Sequence, residues 1–482
     1  MISGHIELFL YAILILLQVP TCDRLTYFRN ISLLVSVFQP RFSVWYLTRF
    51  HIVRVKPKLY QDFRVKKYPV SAVVLILVAN SWPGDEVPSE FVISGLLSVA
   101  LVGLSSECNR HVEHTLHVVA TNMAVVLLMA PGTGLFIFLF LVTCLVNIIL
   151  LDVRKSFSVS EYVLVSTFIS FAVYKAIFDA SSLFVLLCLI CIAVFLLTPS
   201  QHDRDTMLIL TAVFAWIGVI FFKNRTHHLQ RLERMVLDTL TDLQEHSAMV
   251  GLWALCSFLA VIFTVRPISR LNLHIQRKVY HVFMCVVFVS GISSAPRLLS
   301  SACTLLTCLA LVCELAYYKG ARFLQEHLNK FRGKQDTGPL ILTPLFLLIG
   351  LSIPVWLRYG VVWEGALLSR ENTTFLQSVL PYVGVMSVGV GDACAACIGI
   401  SFGRIHLPGT HKTVEGLLGN MAGQALFMVL VGPYLSWGAR GANDALALCA
   451  MLVGNCLLEV YTEDIDNIAI PVFASLCIHT LG

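Results

Sequence analysis

The sequence predicts an all-α fold, a polytopic transmembrane helical bundle of about 15–16 spans. The chain has 482 residues, of which 57% are hydrophobic and only 13% are charged, whereas soluble proteins average about 25% charged residues. The apolar residues occur in runs along the whole chain, which indicates many membrane crossings and not a single anchor. Because backbone polar groups in lipid must be satisfied within the segment, the runs are predicted to be helices.

Apolar runs that approach the roughly 20 residues of a membrane crossing recur throughout the chain. They lie near 6–20, 70–82, 91–104, 115–130, 135–151, 162–178, 182–198, 207–222, 249–265, 279–293, 298–318, 340–358, 377–400, 417–436, 443–458 and 468–481. The segment 25–39 is ambiguous. The first run has no basic residue before it and no clear small-x-small cleavage site, so it is predicted to be a retained span.

The polar residues that carry chemistry gather in the second half of the chain. We therefore predict two regions, an N-terminal multi-span membrane region at 1–265 and a C-terminal catalytic membrane domain at 266–482. Fifteen cysteines lie mostly in apolar runs, where cysteine behaves as a small hydrophobe. The C-x-x-C spacing occurs twice, at Cys188–Cys191 and at Cys394–Cys397, each time in an apolar run with no adjoining pair or histidine cluster that would complete a zinc site.

The distribution of basic residues predicts the orientation of the spans. When the loops are assigned alternately to two sides, one side holds 23 of the 34 lysines and arginines, and the positive-inside rule makes it cytosolic. Glycosylation sequons at Asn224 and Asn372 fall on the opposite side. Many short spans fit the thinner bilayer of the endoplasmic reticulum. The sequence thus predicts a multi-pass protein of that membrane, with its active site facing the cytosol.

A glycine-rich stretch at the edge of the apolar run 377–400 indicates a phosphate-handling site. Asp392 lies within this run, and an ionisable residue inside an apolar helix is functional by default. The glycines around it let a helix break and let a ligand approach the backbone. The next loop carries Lys412, a point charge for phosphate, and Glu415, a further carboxylate.

Other polar residues reach the same predicted face of the membrane. Lys278 and His281 lie at the cytosolic end of the run 279–293. The loop before the last span carries four acids and no base, namely Glu459, Glu463, Asp464 and Asp466. Acids on an otherwise basic side need a counter-ion, and Mg²⁺ is the natural one. We therefore predict that Asp392 and one or more of Glu459, Asp464 and Asp466 bind Mg²⁺ or another divalent cation.

Each of these residues also has a structural interpretation. Lys278 fits a basic anchor that snorkels to the headgroups, His281 fits a helix-end histidine with satisfied hydrogen bonds, and the acids fit a solvated loop. The pair Lys412-Thr413 is not a Walker loop, because that motif needs glycine directly before the lysine and His411 stands there. A nucleotide that binds here is therefore held by a structural motif other than the Walker loop.

Three motifs resemble the dolichol kinase family, the polyprenol kinases that use CTP. The first is Gly391-Asp392-x-x-Ala395-x-x-x-Gly399-x-x-x-Gly403, followed by Pro408-Gly409-Thr410-x-Lys412-Thr413-x-Glu415-Gly416. The second is Arg277-Lys278-x-x-His281, and the third is Glu459 with Asp466-Asn467-x-x-x-Pro471. The clear resemblance covers residues 270–482.

The resemblance implies transfer of the γ-phosphate of CTP to the terminal hydroxyl of dolichol, giving dolichyl phosphate for protein glycosylation and GPI anchor synthesis. The implied partners are a polyprenol lipid, CTP and the bilayer, with no nucleic acid. The implied CTP-binding residues are Ser401, Gly403, Arg404, Pro408, Gly409, Thr410, His411, Lys412, Thr413, Glu415 and Gly416. The residues assigned to catalysis are Asp392, Lys412, Glu415, Lys278 and His281.

Phosphoryl transfer depends on positioning and charge neutralisation more than on covalent chemistry. We expect Lys412 to contact the phosphates, Lys278 to add a second positive contact, and Glu415 to orient Lys412 or share the metal. Backbone amides at 408–410 fit an anion nest. His281 and Asp392 are both candidates for the base that receives the dolichol proton, and the sequence does not choose between them.

At one position the chain departs from the pattern of the family that it resembles. Relatives often have a second basic residue where His411 stands, which predicts weaker or pH-sensitive triphosphate binding.

The alternative functions are a kinase of another isoprenoid or lipid alcohol, a CTP-dependent cytidylyltransferase, and a transporter. The products distinguish the enzymes. Transporters usually show paired repeats with interrupted helices in both halves, whereas here the polar residues gather in one half.

Overall fold

The computed structural model of the protein describes part of the chain. The described residues are 155–158, 161–162, 165, 237–265, 273–318, 320–329, 332, 336, 338–359, 374–435, 442–462 and 465–481. The spans predicted before residue 237, apart from a few residues of 162–178, lie outside this set, as do both sequons. The described residues fall into two compact units, one including 237–336 and 341–481 and the other including 155–165 and 338–340. The predicted division of the chain at residue 265 stays a prediction.

In the smaller unit, a reciprocal cap begins a helix. The amide of Ser158 donates to Glu161 Oε2 at 2.8 Å, and the amide of Glu161 donates to Ser158 Oγ at 3.1 Å. This serine–glutamate pair satisfies two amides that a helix start leaves unpaired. The hydroxyl of Ser156 accepts a hydrogen bond of 2.9 Å from the amide of Leu340 in the same unit.

The larger unit is helical, as predicted. Its helices in chain order are α1 Leu237–Glu245, α2 Ser247–Val265, α3 Leu273–Ser294, α4 Pro296–Tyr318, α5 Arg322–Leu328, α6 Leu342–Tyr359, α7 Phe375–Val379, α8 Ala393–Phe402, α9 Val414–Val431, α10 Ala442–Tyr461 and α11 Asp466–Leu481. A 3-10 turn at Leu380–Tyr382 and a π-helix at Val385–Asp392 join α7 to α8. Among the described residues no strand forms, and an isolated bridge pairs His406 with Thr413.

Five helical segments of the described chain are long and apolar enough to cross a membrane. They are Pro296–Tyr318, Leu342–Tyr359, Val385–Phe402, Val414–Tyr434 and Asp444–Tyr461. A sixth crossing is formed if α1 and α2 count as one span, although they meet at an angle of 87°. The fold is therefore an all-α polytopic bundle. The predicted spans at 279–293 and 468–481 are shorter apolar helices in the structure, Lys278–Ser294 and Asp466–Ile478, and the predicted spans that begin before residue 237 lie mostly outside the described residues.

The predicted span 377–400 is built from four pieces. Thr374 begins α7 with a reciprocal cap: its hydroxyl accepts from the amide of Gln377, and the side-chain oxygen of Gln377 accepts from the amide of Thr374. The 3-10 turn and the π-helix then follow, and α8 continues to Phe402. Within the π-helix, a Cβ on Gly389 would lie 2.5 Å from Cys285 Sγ, and one on Gly391 would lie 2.5 Å from Asn420 Oδ1. These two glycines therefore allow neighbouring helices to approach the segment that carries Asp392.

Helices α6 and α10 both pack closely against α11. A Cβ on Gly350 of α6 would overlap the carbonyl oxygen of Asn467, and a Cβ on Gly454 of α10 would overlap the ring of Phe473 on α11. Such small residues let membrane helices approach at their backbones. The start of α11, where Asp466 lies, is consequently fixed against α6.

Replacing Gly350 with alanine is expected to destabilise the bundle by about 1–3 kcal/mol, because the added methyl forces α6 and α11 apart. Thermal unfolding of the purified protein in detergent measures the change. Gly251→Ala is the matched control, since a Cβ at Gly251 on α2 meets nothing within 4 Å and alanine favours a helix. Equal unfolding temperatures for the two variants would contradict the packing interpretation.

Candidate active site

Three carboxylates from different helical segments converge in the larger unit. Asp392 ends the π-helix, Glu459 lies in the last turn of α10, and Asp466 opens α11. Each offers one carboxylate oxygen, and these oxygens lie within 4.8 Å of one another. Asp392 and Glu459 are buried, and Asp466 is half-buried. We call these three residues the acid cluster.

Two lysines neutralise part of the acid cluster. The ammonium of Lys278 on α3 donates to Asp392 Oδ2. The ammonium of Lys412 lies 2.5 Å from Glu459 Oε1 and also donates to the main-chain carbonyl of Glu459. Three acids thus face two lysines, so the lysines do not balance all of the negative charge of the acid cluster. Lys278 and Asp392 are 114 residues apart in the sequence, and only the fold brings them together.

The environment of Lys412 keeps it positively charged. Burial by itself lowers the pKa of Lys412, but the carboxylates of Glu459, Asp466 and Asp392 outweigh burial and raise its pKa to about 12. The side chain of Lys412 nevertheless remains 41% exposed, whereas that of Glu459 is 6% exposed. A charged group that is anchored to the cluster and open to solvent suits contact with an incoming anion.

His281 on α3 lies beside the acid cluster. Its Nδ1 is 3.1 Å from the carbonyl oxygen of Val388 and 3.7 Å from Asp392 Oδ2. The closer contact is a hydrogen bond in which Nδ1–H donates to Val388. In the neutral ring Nε2 is then the nitrogen that can accept a proton. The structure therefore fixes the tautomer of one of the two predicted base candidates.

A capped helix start holds Asp466 in place. The carboxylate of Asp336 accepts from the amides of Leu342 and Thr343 at 3.0 and 3.2 Å, and from the hydroxyl of Thr343 at 2.8 Å. The side-chain amide of Asn467 donates to the carbonyl of Thr343 at 3.1 Å. These bonds tie the start of α6 to the residue that follows Asp466, so the acid keeps a defined position.

The loop 403–413 folds back so that Lys412 returns to the acid cluster. The amide of Leu407 donates to the carbonyl of Lys412 at 2.9 Å, and the amide of Val414 donates to the carbonyl of Ile405 at 2.8 Å. Gly409 occupies the turn with φ +76°, a conformation that favours glycine. Thr413 then caps α9, its hydroxyl accepting from the amide of Gly416 at 3.2 Å.

The predicted CTP-binding residues spread over this loop and its two flanks. Thr413 and Gly416 are buried and Gly403 and Thr410 are half-buried, whereas the exposed members are Ser401, Arg404, Pro408, Gly409 and His411. Of the predicted set, Lys412 is the residue that contacts the acid cluster.

Several predictions need correction or fall outside the described residues. Glu415 does not join the acid cluster, because its carboxylate accepts from the amide of Ile405 at 3.2 Å and thereby braces the loop. The amide of Thr410 donates to the carbonyl of Leu407, so this amide is not available for the predicted anion nest. Asp464 and the side chain of Arg277 lie outside the described residues.

The sequence interpretation missed a group of buried amides beside the site, formed by Asn420, Gln424 and Asn455. These side chains are 1%, 0% and 0% exposed, respectively. The sequence did contain a signal, since Asn420 and Gln424 are one helical turn apart within an apolar run. Amides in apolar membrane helices usually find hydrogen-bond partners on a neighbouring helix.

The acid cluster has the chemistry of a divalent-cation site. Oxygen ligands and carboxylate charge suit Mg²⁺. Glu459 Oε2 is buried and has no hydrogen-bond partner among the described residues. A buried carboxylate oxygen without a partner is strongly unfavourable, and a cation between the three acids would remove that penalty. The residues present therefore fit a bound divalent cation.

The fold and the site together define a polytopic membrane protein in which buried acids and lysines converge at the ends of its helices. Comparison with curated proteins shows similarity to dolichol kinases. The chain is 30% identical to human dolichol kinase over 287 residues, which are 56% of this chain and 51% of the relative. It is 33% identical to mouse dolichol kinase over 205 residues, 41% of this chain and 37% of the relative.

A yeast protein extends the similarity. Dolichol kinase of Saccharomyces cerevisiae is 24% identical over 297 residues, 59% of this chain and 51% of the relative. All three of these relatives carry the name dolichol kinase. The chain spans about half or less of the length of the curated relatives it matches. No family model matches the chain, and no solved structure matches it.

Proposed function

We propose that the chain transfers the γ-phosphate of CTP to the terminal hydroxyl of dolichol, at the cytosolic face of the endoplasmic reticulum membrane. The observation that carries the proposal is the convergence of the acid cluster with Lys278 and Lys412 inside a membrane bundle. The curated relatives named dolichol kinase support the choice of reaction. The choice of CTP as donor rests on the motif from Gly391 to Gly416.

In this proposal Asp392, Glu459 and Asp466 hold a Mg²⁺ ion. When bound, the ion supplies charge neutralisation for the triphosphate. The three carboxylates are already within 4.8 Å of one another, and Glu459 Oε2 has no other partner among the described residues. Little reorganisation of the chain is then needed when the metal and nucleotide arrive.

The two lysines have different roles in the proposal. Lys412 is the positive contact for the nucleotide, because its side chain is 41% exposed. It exchanges Glu459 for the phosphates when the nucleotide binds. Lys278 is enclosed, with a side chain 17% exposed, and it keeps Asp392 ionised and oriented. His281 lies beside both, with Nε2 as its proton-accepting nitrogen.

The positions of the substrates follow from their chemistry. CTP is charged and reaches the site from water, across the exposed loop that includes Arg404 and His411. Dolichol is apolar except at its hydroxyl and reaches the site from the bilayer. The apolar side chains exposed on α9, among them Leu426, Val429 and Leu430, are suited to contact lipid. The two substrates thus approach the acid cluster from different sides.

Incubating membranes that contain the protein with labelled CTP and polyprenols tests the proposal. We expect labelled polyprenyl phosphate together with CDP, a much slower reaction with ATP, and loss of product in EDTA that returns with Mg²⁺. Membranes lacking the protein are the control. CDP-lipid with pyrophosphate would instead indicate a cytidylyltransferase, and phosphorylation of a different lipid alcohol would change the substrate assignment.

A further inference from the structure

The three buried amides form a chain of hydrogen bonds with a single direction. The side-chain nitrogen of Asn455 on α10 donates to Gln424 Oε1 at 3.1 Å, and the side-chain nitrogen of Gln424 on α9 donates to Asn420 Oδ1 at 2.5 Å. In this arrangement each amide nitrogen donates to the oxygen of the next amide along the chain. We call Asn420, Gln424 and Asn455 the amide chain.

One end of the amide chain lacks a partner. Asn455 Oδ1 is buried and accepts no hydrogen bond from any described residue. Asn455 itself is 0% exposed, so bulk water does not reach it. A buried acceptor without a donor is unfavourable, and each such group in a native structure calls for a partner. In this arrangement the partner that Asn455 Oδ1 needs is a hydrogen-bond donor.

The amide chain adjoins the acid cluster. Asn455 precedes Glu459 by four residues on α10, so the two side chains share one helix face and are about 5–6 Å apart at their Cβ atoms. Both carry a buried oxygen without a hydrogen-bond partner among the described residues. At the other end, Asn420 Oδ1 lies against Gly391, the residue before Asp392. The unpaired oxygen of Asn455 therefore lies one helical turn from Glu459 of the acid cluster, on the side toward the middle of α10.

The chemistry of this position selects the ligand. Phosphate oxygens are acceptors and do not satisfy an amide oxygen. The amino group of cytosine is a donor, but the triphosphate separates it from the metal and the transferred phosphoryl group. An alcohol hydroxyl is a donor, and it must lie about 3–3.5 Å from the reacting phosphorus. It also arrives from the apolar side of the acid cluster, where Asn455 lies.

We propose that Asn455 Oδ1 accepts a hydrogen bond from the hydroxyl of the lipid alcohol and holds the hydroxyl oxygen toward the phosphoryl group. Gln424 and Asn420 are positioning residues that keep the Asn455 amide in the accepting orientation. Asn455 takes no proton, because an amide is not a base at neutral pH. This inference rests on the proposed function for the identity of the substrate, but the contact itself forms before phosphoryl transfer.

Binding of an alcohol and its ether tests the inference without turnover. The full chain in lipid nanodiscs is incubated with a labelled polyprenol and no CTP, and the label is displaced by the unlabelled alcohol or by its methyl ether. The ether keeps the apolar chain and lacks the donor. We expect the wild type to bind the alcohol about tenfold more tightly than the ether, the typical effect of one buried hydrogen bond. Asn455→Leu is expected to bind both with equal affinity.

Met451→Leu is the matched control. Met451 lies one turn before Asn455 on α10 and is 0% exposed, so its replacement tests core packing without removing a polar group, and the preference for the alcohol should persist. Asn455→Ser restores a hydroxyl acceptor and should recover part of the preference. If Asn455→Leu fails to fold, the wild-type comparison and Asn455→Ser still decide.

Equal binding of alcohol and ether by the wild type would overturn the inference, as would an undiminished preference in Asn455→Leu. A variant that changes the KM for CTP and not alcohol binding would point to the nucleoside instead. Preferential alcohol binding without CTP-dependent phosphorylation would overturn the proposed function and leave the hydroxyl site standing, so the two failures are distinguishable.

Discussion

Asp392→Asn is expected to lower the rate of CTP-dependent phosphoryl transfer at least about a thousandfold, because charge stabilisation by a bound metal dominates this kind of reaction. The substitution keeps the size of the side chain and removes its negative charge. Asp392 is also the acid that Lys278 contacts directly, so the variant loses both a metal ligand and the partner of a lysine. Initial rates at saturating CTP, measured over a range of Mg²⁺ concentrations, test the expectation.

Two further variants separate catalysis from folding. Asp444→Asn is the matched control, because Asp444 lies in the first turn of α10, at the other end of that helix from Glu459, and it should leave the rate unchanged. Asp392→Asn leaves Lys278 with an uncompensated charge, which is destabilising. The double variant Lys278→Met with Asp392→Asn should regain thermal stability and remain inactive. An Asp392→Asn protein within tenfold of the wild-type rate would contradict the assignment of Asp392 to the metal.

Span positions could be predicted because the length of an apolar run decides whether it crosses a membrane. The run predicted at 340–358 is Leu342–Tyr359 in the structure, and that at 443–458 is Ala442–Tyr461. The polar residues at the ends of these runs could also be assigned to one face, because alternation of the spans fixes the side of each loop. The sequence thus predicts that Asp392, Glu459 and Asp466 lie at the same face of the membrane.

The details within the site depended on contacts that no local pattern encodes. Asp392 ends the π-helix and contacts Lys278 on α3. The two glycines of the π-helix, Gly389 and Gly391, lie against Cys285 and Asn420 on other helices. Glu415 has the same residue type as the acids of the cluster. Its position in the first turn of α9 nevertheless places its carboxylate on a loop amide.

The amide chain was missed for a related reason. The sequence shows that Gln424 lies in an apolar run but does not show which helix faces it. The bond between Gln424 and Asn455 joins residues 31 apart, and the pairing depends on how α9 and α10 are rotated about their axes. Residue type and depth in the membrane were therefore predictable, whereas the partner of each polar side chain was not.

Lys412→Met is expected to lower kcat/KM for CTP about a hundredfold, chiefly through a higher KM, because a charge-assisted contact to phosphate is lost. In the free protein Lys412 is held by Glu459, and its half-exposed side chain lies on the loop that also carries most of the predicted CTP-binding residues. Its pKa of about 12 keeps the ammonium charged well above neutral pH. The loss should therefore be the same at pH 6.5 as at pH 8.5, because both values lie at least about 3.5 units below that pKa.

The expected pattern among substitutions at Lys412 distinguishes charge from simple packing. Lys412→Arg keeps the positive charge with a different geometry and should recover part of the lost affinity. Arg322→Met is the matched control, since Arg322 on α5 is an exposed cation outside the site and should leave the KM for CTP unchanged. Steady-state kinetics with CTP as the varied substrate give both constants. An unchanged KM in Lys412→Met would mean that the phosphates are bound elsewhere, and that the contact between Lys412 and Glu459 serves only to hold the loop.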